Sequence, residues 1–489
     1  MRLFYSLHCN ALYICVNILN VVQTLIRHLH FMILSKTKQR YIEQLKEFLS
    51  IPSISADSRF SKEVERAAHW VKKTLIDSGC TQVKVYPTEG HPIVFGSRII
   101  DPKLPTVMVY GHYDVQPPDP LDQWETEPFK PIIKKTKIHP QGALFARGAC
   151  DDKGQLMIHV KAFEELVNQD NLNCNVSFLI EGEEEVGSNH LEQFLKEYKQ
   201  ELASDVVLIS DTAIISNSQP SITSGLRGLC YFEVKVKGSS IDLHSGVYGG
   251  AVPNPLTVLC ELMAKLHDRN RKINIPGFYD DVILIDEESK AEINKEILDL
   301  QEFKDSIGIK NIMGEKDYTT VERKSIRPAL DINGIYGGYT LEGTKTVIPS
   351  EATAKVSMRL VPNQNWKKIS SLFSNHIKKL APDSVSVSVK IFQGGNPYLV
   401  SKEHIGFKAA HSAYSDSFGI SPITTRGGGS IPIVSNIEEI LGAKSILMGF
   451  GLDSDAIHSP NEHFGLFNFF KGIETVKQFY SHYAQLTTP

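Results

Sequence analysis

The sequence predicts an α/β fold: a mostly parallel sheet flanked by helices, with a smaller α+β domain inserted into it. Three observations lead there. Short, largely apolar runs at 107–110, 176–180 and 206–210 suit strands buried on both faces of a parallel sheet. Helical periodicity alternates with such runs as far as residue 211, the order expected of a layered α/β domain. After about residue 220 the pattern changes to alternating strands, and after about 393 the first pattern returns. At 489 residues the chain is also too long for one ordinary core.

Residues 37–49 place Tyr41, Leu45, Phe48 and Leu49 at helical spacing, and 63–78 read as a second amphipathic helix that stops near Gly79. Strands are expected at 82–86 and 93–97, and a helix over 153–168 follows a sharp turn. In the second region 231–236 alternates as a strand and 255–267 reads as a helix, followed by a long polar stretch, 268–327. Residues 346–349 and 354–361 then read as strands, 366–380 as a helix and 385–391 as a strand. That β-α-β-β-α-β order is the order of a ferredoxin-like unit. A buried-type strand at 445–450 and a terminal helix at 467–484 complete the first domain. The expected division is one domain made of 35–220 and 393–489, with 221–392 inserted.

An apolar fraction of 42% and a charged fraction of 22% are those of a globular protein. A net charge of −4 gives no ground for nucleic-acid or anionic-membrane binding. Seven cysteines, an odd number without a CxxC pair, fit a reduced cytoplasmic protein better than a disulfide framework.

The chemistry gathers where the apolar runs end. The first leads into Gly111-His112-Tyr113-Asp114, the second into Glu181-Gly182-Glu183-Glu184-Glu185 and the third into Asp211. Ligand sites of open α/β sheets collect at the carboxyl ends of strands. His112 and Asp114, two apart on a strand, face the same way, so Asp114 can fix the tautomer of a ligating His112. Asp151 or Asp152, after Arg147-Gly148-Ala149-Cys150, reads either as a helix cap or as a metal ligand. Adjacent Glu184 and Glu185 repel each other, and a cation relieves that repulsion; the plain alternative is a solvated acidic turn, a description expected to hold in part for Glu181 and Glu183. His458, in His458-Ser459-Pro460-Asn461-Glu462, would supply a second imidazole.

Taken in order, the segments Tyr110-Gly111-His112-Tyr113-Asp114-Val115-Gln116-Pro117, Arg147-Gly148-Ala149-Cys150-Asp151-Asp152-Lys153-Gly154, Glu181-Gly182-Glu183-Glu184-Glu185-Val186-Gly187-Ser188 and His458-Ser459-Pro460-Asn461-Glu462 resemble the M20 family of dinuclear metallopeptidases. The likeness, over residues 37–489, is to its branch of cytosolic nonspecific dipeptidases and carnosinases. It implies a dinuclear metallopeptidase domain and an inserted lid that also dimerises. It further implies two divalent ions per subunit, zinc or manganese, with Asp151 bridging them. His112 and Asp211 complete one site, and Glu185 and His458 the other. Glu184 becomes the general base and Asp114 the residue that orients His112, and the Asp151–Asp152 peptide is expected to be cis. In the insert, Asp242-Leu243-His244-Ser245-Gly246 resembles the segment whose His polarises the scissile carbonyl in a neighbouring subunit. Thr346 resembles a second residue supplied in trans, and Arg359 the partner of the substrate's C-terminal carboxylate. The loop with Gly428, Gly429 and Ser430 offers backbone N–H groups to that carboxylate. The sequence departs from relatives at Glu183, where an apolar residue is frequent, and at Cys150, where Ser or Thr is common.

The implied activity is hydrolysis of dipeptides, or of C-terminal residues of short peptides, by a homodimer without nucleic-acid or membrane partners. The alternatives are an N-acyl amino acid amidohydrolase of the deacetylase or desuccinylase type and, less favoured, a catalytically dead metal- or peptide-binding homologue. Residues 1–34 lie outside the resemblance. They contain no acidic residue, and their apolar run, 11–26, is interrupted by Asn17, Asn20, Gln23 and Thr24, whereas a membrane span needs ~20 apolar residues. Met32 is the expected true start, with a weak membrane anchor as the alternative. Intact mass of the native protein should correspond to a start at Met32; a full-length species would refute it.

Overall fold

The computed structural model describes residues 35–295 and 299–487; the expectations for residues 1–34 lie outside them. The main sheet has nine strands. Its centre runs Asn175–Glu181, Thr106–His112, Val206–Ile209, Lys444–Leu447, and each neighbouring pair there is parallel. Antiparallel strands extend both sides: Ile93–Arg98 beside Asn175–Glu181, with Gln82–Tyr86 outside it, and Ser221–Leu226 beside Lys444–Leu447. The four central strands are apolar because helices cover both faces. Val107, Val109, Phe178, Ile180, Val206, Leu208 and Ile446 are all buried in one core. The helices Lys153–Asn168 and Leu466–Thr487 pack on this sheet, as do 35–49 and Ser61–Asp77.

The chain leaves this sheet at Arg227, between the strands Ser221–Leu226 and Gly228–Lys237. The switch comes later than the expected change at 220, because Ser221–Leu226 is a main-sheet strand. The second sheet is antiparallel and has four strands, in the order Ala329–Gly337, Glu351–Leu360, Gly228–Lys237, Ser386–Gly395. With the helices Pro255–Ala264 and Trp366–Leu380 it follows β-α-β-β-α-β order, around its own core of Phe232, Val234, Leu259, Val356, Phe373 and Ile377. Asn254 and Asn365 start those helices by accepting backbone N–H groups. The chain returns to the main sheet at Tyr398–Leu399.

One strand of the small sheet differs from expectation. The second strand is Ala329–Gly337, not 346–349. Asp331 and Asn333 obscure its alternation, a register shift falls between Ile332 and Gly334, and its outer residues Ile332, Ile335 and Tyr336 are exposed. Edge strands of this kind carry a weak periodic signal. Residues 347–348 instead pair with Leu243–His244 in a separate two-stranded ribbon. The described residues of the polar stretch 268–327 include the short helices Glu287–Ile293, Leu300–Ser306 and Thr320–Ser325, with Ile293, Val321 and Ile326 forming a small cluster of their own. No helix among the described residues is long and apolar enough to cross a membrane, and the described cysteines are all free.

Candidate metal centre

The four parallel strands bring their carboxyl ends to one edge of the sheet, and the next residues of each reach into a shared cleft. Thr106–His112 ends in His112, Asn175–Glu181 leads to Glu184 and Glu185, Val206–Ile209 leads to Asp211, and Lys444–Leu447 leads to the loop with His458. Asp151 arrives from the turn between the strand Ala143–Phe145 and the helix Lys153–Asn168. A small three-stranded sheet, unforeseen in the sequence, places that turn beside the His458 loop. Its strand His463–Gly465 pairs with Ala143–Phe145, His463 opposite Phe145.

Two sets of donor atoms result. His112, Asp151 and Asp211 each offer one atom, all within 4.8 Å of one another; Asp151, Glu185 and His458 do the same. Asp151 belongs to both. Its Oδ1 lies 3.0 Å from His112 Nε2 and its Oδ2 2.8 Å from His458 Nε2. His458 Nε2 is also 3.2 Å from Glu185 Oε2. The opposite nitrogen of His112, Nδ1, faces Asp114, 3.3 Å from Oδ1 and 3.1 Å from the main-chain oxygen. Asp114 in turn accepts the N–H groups of Glu184 and Glu185 at 3.3 and 3.2 Å. One buried carboxylate therefore sets both the ring of His112 and the turn with the paired glutamates. Gln116 Nε2 steadies Glu185 Oε2 at 2.9 Å. No hydrogen bond or ion pair among the described residues occupies the Glu184 carboxylate.

The charges show what the cleft fits. Desolvation pushes the Glu184 carboxyl up to about 8; His112 pulls it down, while Glu185, Asp151 and Asp114 push it up. Desolvation together with Asp151 and Glu184 holds Asp211 well above the carboxylate range. Burial disfavours charge on His112, yet hydrogen bonds to Asp114 and Asp151 raise it well above its ordinary value. Hydrogen bonds to Asp151 and Glu185 raise His458 to about 10. The carboxylates are thus in excess and draw protons onto whatever base is near. Divalent cations relieve the same excess, and mixed imidazole and carboxylate donors suit zinc or manganese.

The structure also sorts the secondary expectations. The Asp151–Asp152 peptide is cis. Asp152 is the N-cap residue of its helix but its side chain makes no cap hydrogen bond; it accepts His112 N–H at 3.3 Å instead. Glu181 and Glu183 are not a solvated turn. Both are buried, Glu181 taking hydrogen bonds from Tyr110 and Ser188 and Glu183 pairing with His190. Glu462, quoted in the motif without a role, accepts four hydrogen bonds from the Arg147–Asp151 turn. Arg359 and Ser430 come together across the two sheets, Nη1 donating to Oγ at 2.8 Å, and Arg227 Nε donates to Gly428 O at 2.8 Å. Gly429 follows on that loop, exposed. His244 and Thr346 also become neighbours, since His244 pairs with Val347 and Ser245 N–H bonds to Thr346 O. Both are exposed, and no hydrogen bond or ion pair among the described residues joins them to the two donor clusters.

A largely parallel sheet whose strand ends carry two imidazole–carboxylate clusters sharing one aspartate is the arrangement of a metallohydrolase. The chain belongs to peptidase family M20/M25/M40, whose model matches residues 108–482. It is 32% identical to the Cys-Gly metallodipeptidase dug1 of Schizosaccharomyces pombe, over 90% of this chain and 95% of that protein. It is also 32% identical to the Beta-Ala-His dipeptidase of Homo sapiens, over 92% of this chain and 91% of that one. Among solved structures, an M20 family metallo-carboxypeptidase from Sulfolobus solfataricus superposes with a TM-score of 0.82 at 30% identity, covering 91% of this chain and 99% of that one.

Cation binding should stabilise the fold by relieving the buried carboxylates. Chelator-stripped protein should melt lower than protein with zinc or manganese restored. At a hundredfold excess over Kd the gain is about 2.7 kcal/mol. An unchanged melting temperature on restoring either metal would count against the site.

Proposed function

We propose that the protein is a dipeptidase that cleaves dipeptides, or C-terminal residues of short peptides, at a two-cation centre. The observation that carries this reading is the pair of three-residue donor clusters sharing Asp151. His112 and Asp211 would hold one zinc or manganese ion with Asp151, and Glu185 and His458 the other. When bound, the cations supply Lewis-acid activation of the attacking water and of the scissile carbonyl. Glu184, its carboxylate otherwise unengaged, takes the proton of the attacking water and returns it to the leaving amine. Asp114 keeps His112 and the Glu184–Glu185 turn in register.

Recognition comes from the inserted domain, 228–395, read as a lid and dimerisation domain, and from the loop it touches. Arg359 presents a planar guanidinium to the substrate carboxylate, with Ser430 beside it and the N–H groups of Gly428 and Gly429 on the same loop. That requirement for a free carboxylate suits dipeptides. His244, with Thr346 next to it, reaches the active site of a second copy and stabilises the developing oxyanion there. Their exposure, and the lack of any hydrogen bond or ion pair to this chain's own donors among the described residues, support action in trans. Relatives named for dipeptides match nearly the whole chain at about 32% identity, which favours this reading over an N-acyl amino acid amidohydrolase.

A hydrolysis panel tests the activity: Cys-Gly, β-Ala-His and simple dipeptides against N-acetyl amino acids, on stripped protein with zinc or manganese restored. Dipeptide turnover is expected. Turnover of N-acetyl amino acids alone would overturn the reading, and no turnover by metal-loaded protein would favour a dead homologue. Glu184→Gln should keep its metal and lose ~10²–10⁴-fold in kcat.

His244→Ala should remain a dimer and lose ~10²–10³-fold in kcat. Mixing it with Glu184→Gln subunits should restore part of the activity, because each variant supplies what the other lacks. A monomer in solution, or full activity of His244→Ala, would exclude action in trans.

A further inference from the structure

Glu462 lies outside both donor sets, fully buried, on the loop that carries His458. Its Oε1 accepts the N–H groups of Cys150 at 2.9 Å and Asp151 at 3.1 Å. Its Oε2 accepts Gly148 N–H at 2.9 Å and Arg147 Nη1 at 2.8 Å. A carboxylate has about four acceptor positions, so this one is fully used. Gly148 must be glycine for the turn to close: its φ is +81°, and a Cβ there would lie 2.7 Å from Val115 Cγ1. Ala146 N–H adds a bond to the Glu462 main-chain oxygen at 3.1 Å.

Arg147 extends the contact to a third loop. Its Nη2 donates to Pro117 O at 3.3 Å, on the segment that follows His112 and Asp114, and its guanidinium lies over the Trp124 ring, 5.4 Å from the centroid. Through one ion pair, the loops carrying His112, Asp151 and His458 are tied together. Each supplies a ligand to the centre.

We propose that Glu462 is a positioning residue of the metal centre. It holds the backbone of 148–151 so that Asp151 presents one oxygen to each cation position, and it couples that setting to the loop of His458. Arg147 supplies the counter-charge and extends the restraint to the His112 segment. This rests on the metal-centre reading given above. It goes beyond that reading because Glu462 donates no atom to either cluster and touches no substrate-binding residue.

The test compares wild type with Glu462→Gln, which keeps the shape but turns one acceptor into a donor facing backbone N–H groups. Zinc affinity, read by competition with a chromophoric chelator, should fall about 10–100-fold, the usual effect of losing a partner behind a ligand. The visible absorption of the cobalt-substituted protein should change as the Asp151 geometry relaxes. At saturating metal, kcat should fall while the dipeptide KM moves less than about twofold, since a residue behind the metal leaves ground-state binding alone. A folded Glu462→Gln protein with wild-type zinc affinity and an unchanged cobalt spectrum would overturn the proposal. Should Glu462→Gln fail to fold by circular dichroism, Arg147→Lys takes its place; it keeps the charge but loses the fork that spans Glu462 and Pro117. Its zinc affinity should fall by a smaller factor, and a wild-type value would be equally fatal. Zinc affinity is read without substrate. A wild type that binds zinc but hydrolyses nothing would therefore defeat the dipeptidase reading and leave this comparison intact.

Discussion

The Asp151 carboxylate, with one oxygen directed at His112 and the other at His458, is the contact on which the site depends. Three structural facts must hold for it to exist. The central strands must be parallel, so that His112, the glutamate turn and Asp211 emerge at one edge. The small sheet must join 143–145 to 463–465, so that a residue more than three hundred positions away in sequence arrives opposite. The turn before the helix Lys153–Asn168 must be fixed from behind, which Glu462 does. The local charge then follows from geometry alone. Carboxylates gathered at desolvated strand ends repel one another, and only cations or protons settle them.

Much of this was legible because buried parallel strands have a plain signature. Apolar runs such as Val107 to Tyr110 announce themselves, and a polar residue that terminates such a run at its carboxyl end is conspicuous. The same holds for the helix Trp366–Leu380, whose Ile369, Phe373 and Ile377 keep strict spacing into the core. The edge strand Ala329–Gly337 escaped because one of its faces is solvent, its bulge breaks the period, and its outward apolar residues mimic no pattern. The small three-stranded sheet escaped because strands as short as Ala143–Phe145 hold too few residues to show a period. Glu181 and Glu183 were misjudged for a related reason. Composition marks an acidic run as solvated, while burial is decided by pairings it does not specify: Glu181 with distant Tyr110 and with Ser188, and Glu183 with His190.

The two domains divide the work along the same line. Everything that would hold cations belongs to the main sheet and its loops. Arg359, His244 and Thr346 belong to the small domain, with Arg359 reaching back to Ser430. On the proposed reading, the binding site is shared between the two units. Under the proposed function, recognition of a substrate carboxylate is coupled to assembly of the catalytic groups. The ribbon of Leu243–His244 and Val347–Ile348 holds His244 out in solvent, the placement that the proposed action in trans requires.

The loop from 453 to 463 shows what such placement costs. Ala456, His458 and Asn461 all adopt positive φ, at 56°, 59° and 65°. Non-glycine residues in that region carry roughly 1–3 kcal/mol of strain each when the conformation is not locally favoured. A turn of its own holds part of the loop, Ser459 N–H bonding to Ala456 O at 3.0 Å. Further restraint comes from outside it. Asn461 bonds to Glu125 N–H and to Gln123 O. Asp455 takes bonds from Leu452 N–H and His139, while His463 stacks on Phe145. Glu462 joins this loop to the turn that bears Asp151. The placement of His458 is therefore a property of the surrounding polar network rather than of the His-Ser-Pro-Asn-Glu segment alone. That is why the segment marks the site so clearly in sequence yet, taken alone, says nothing of its geometry.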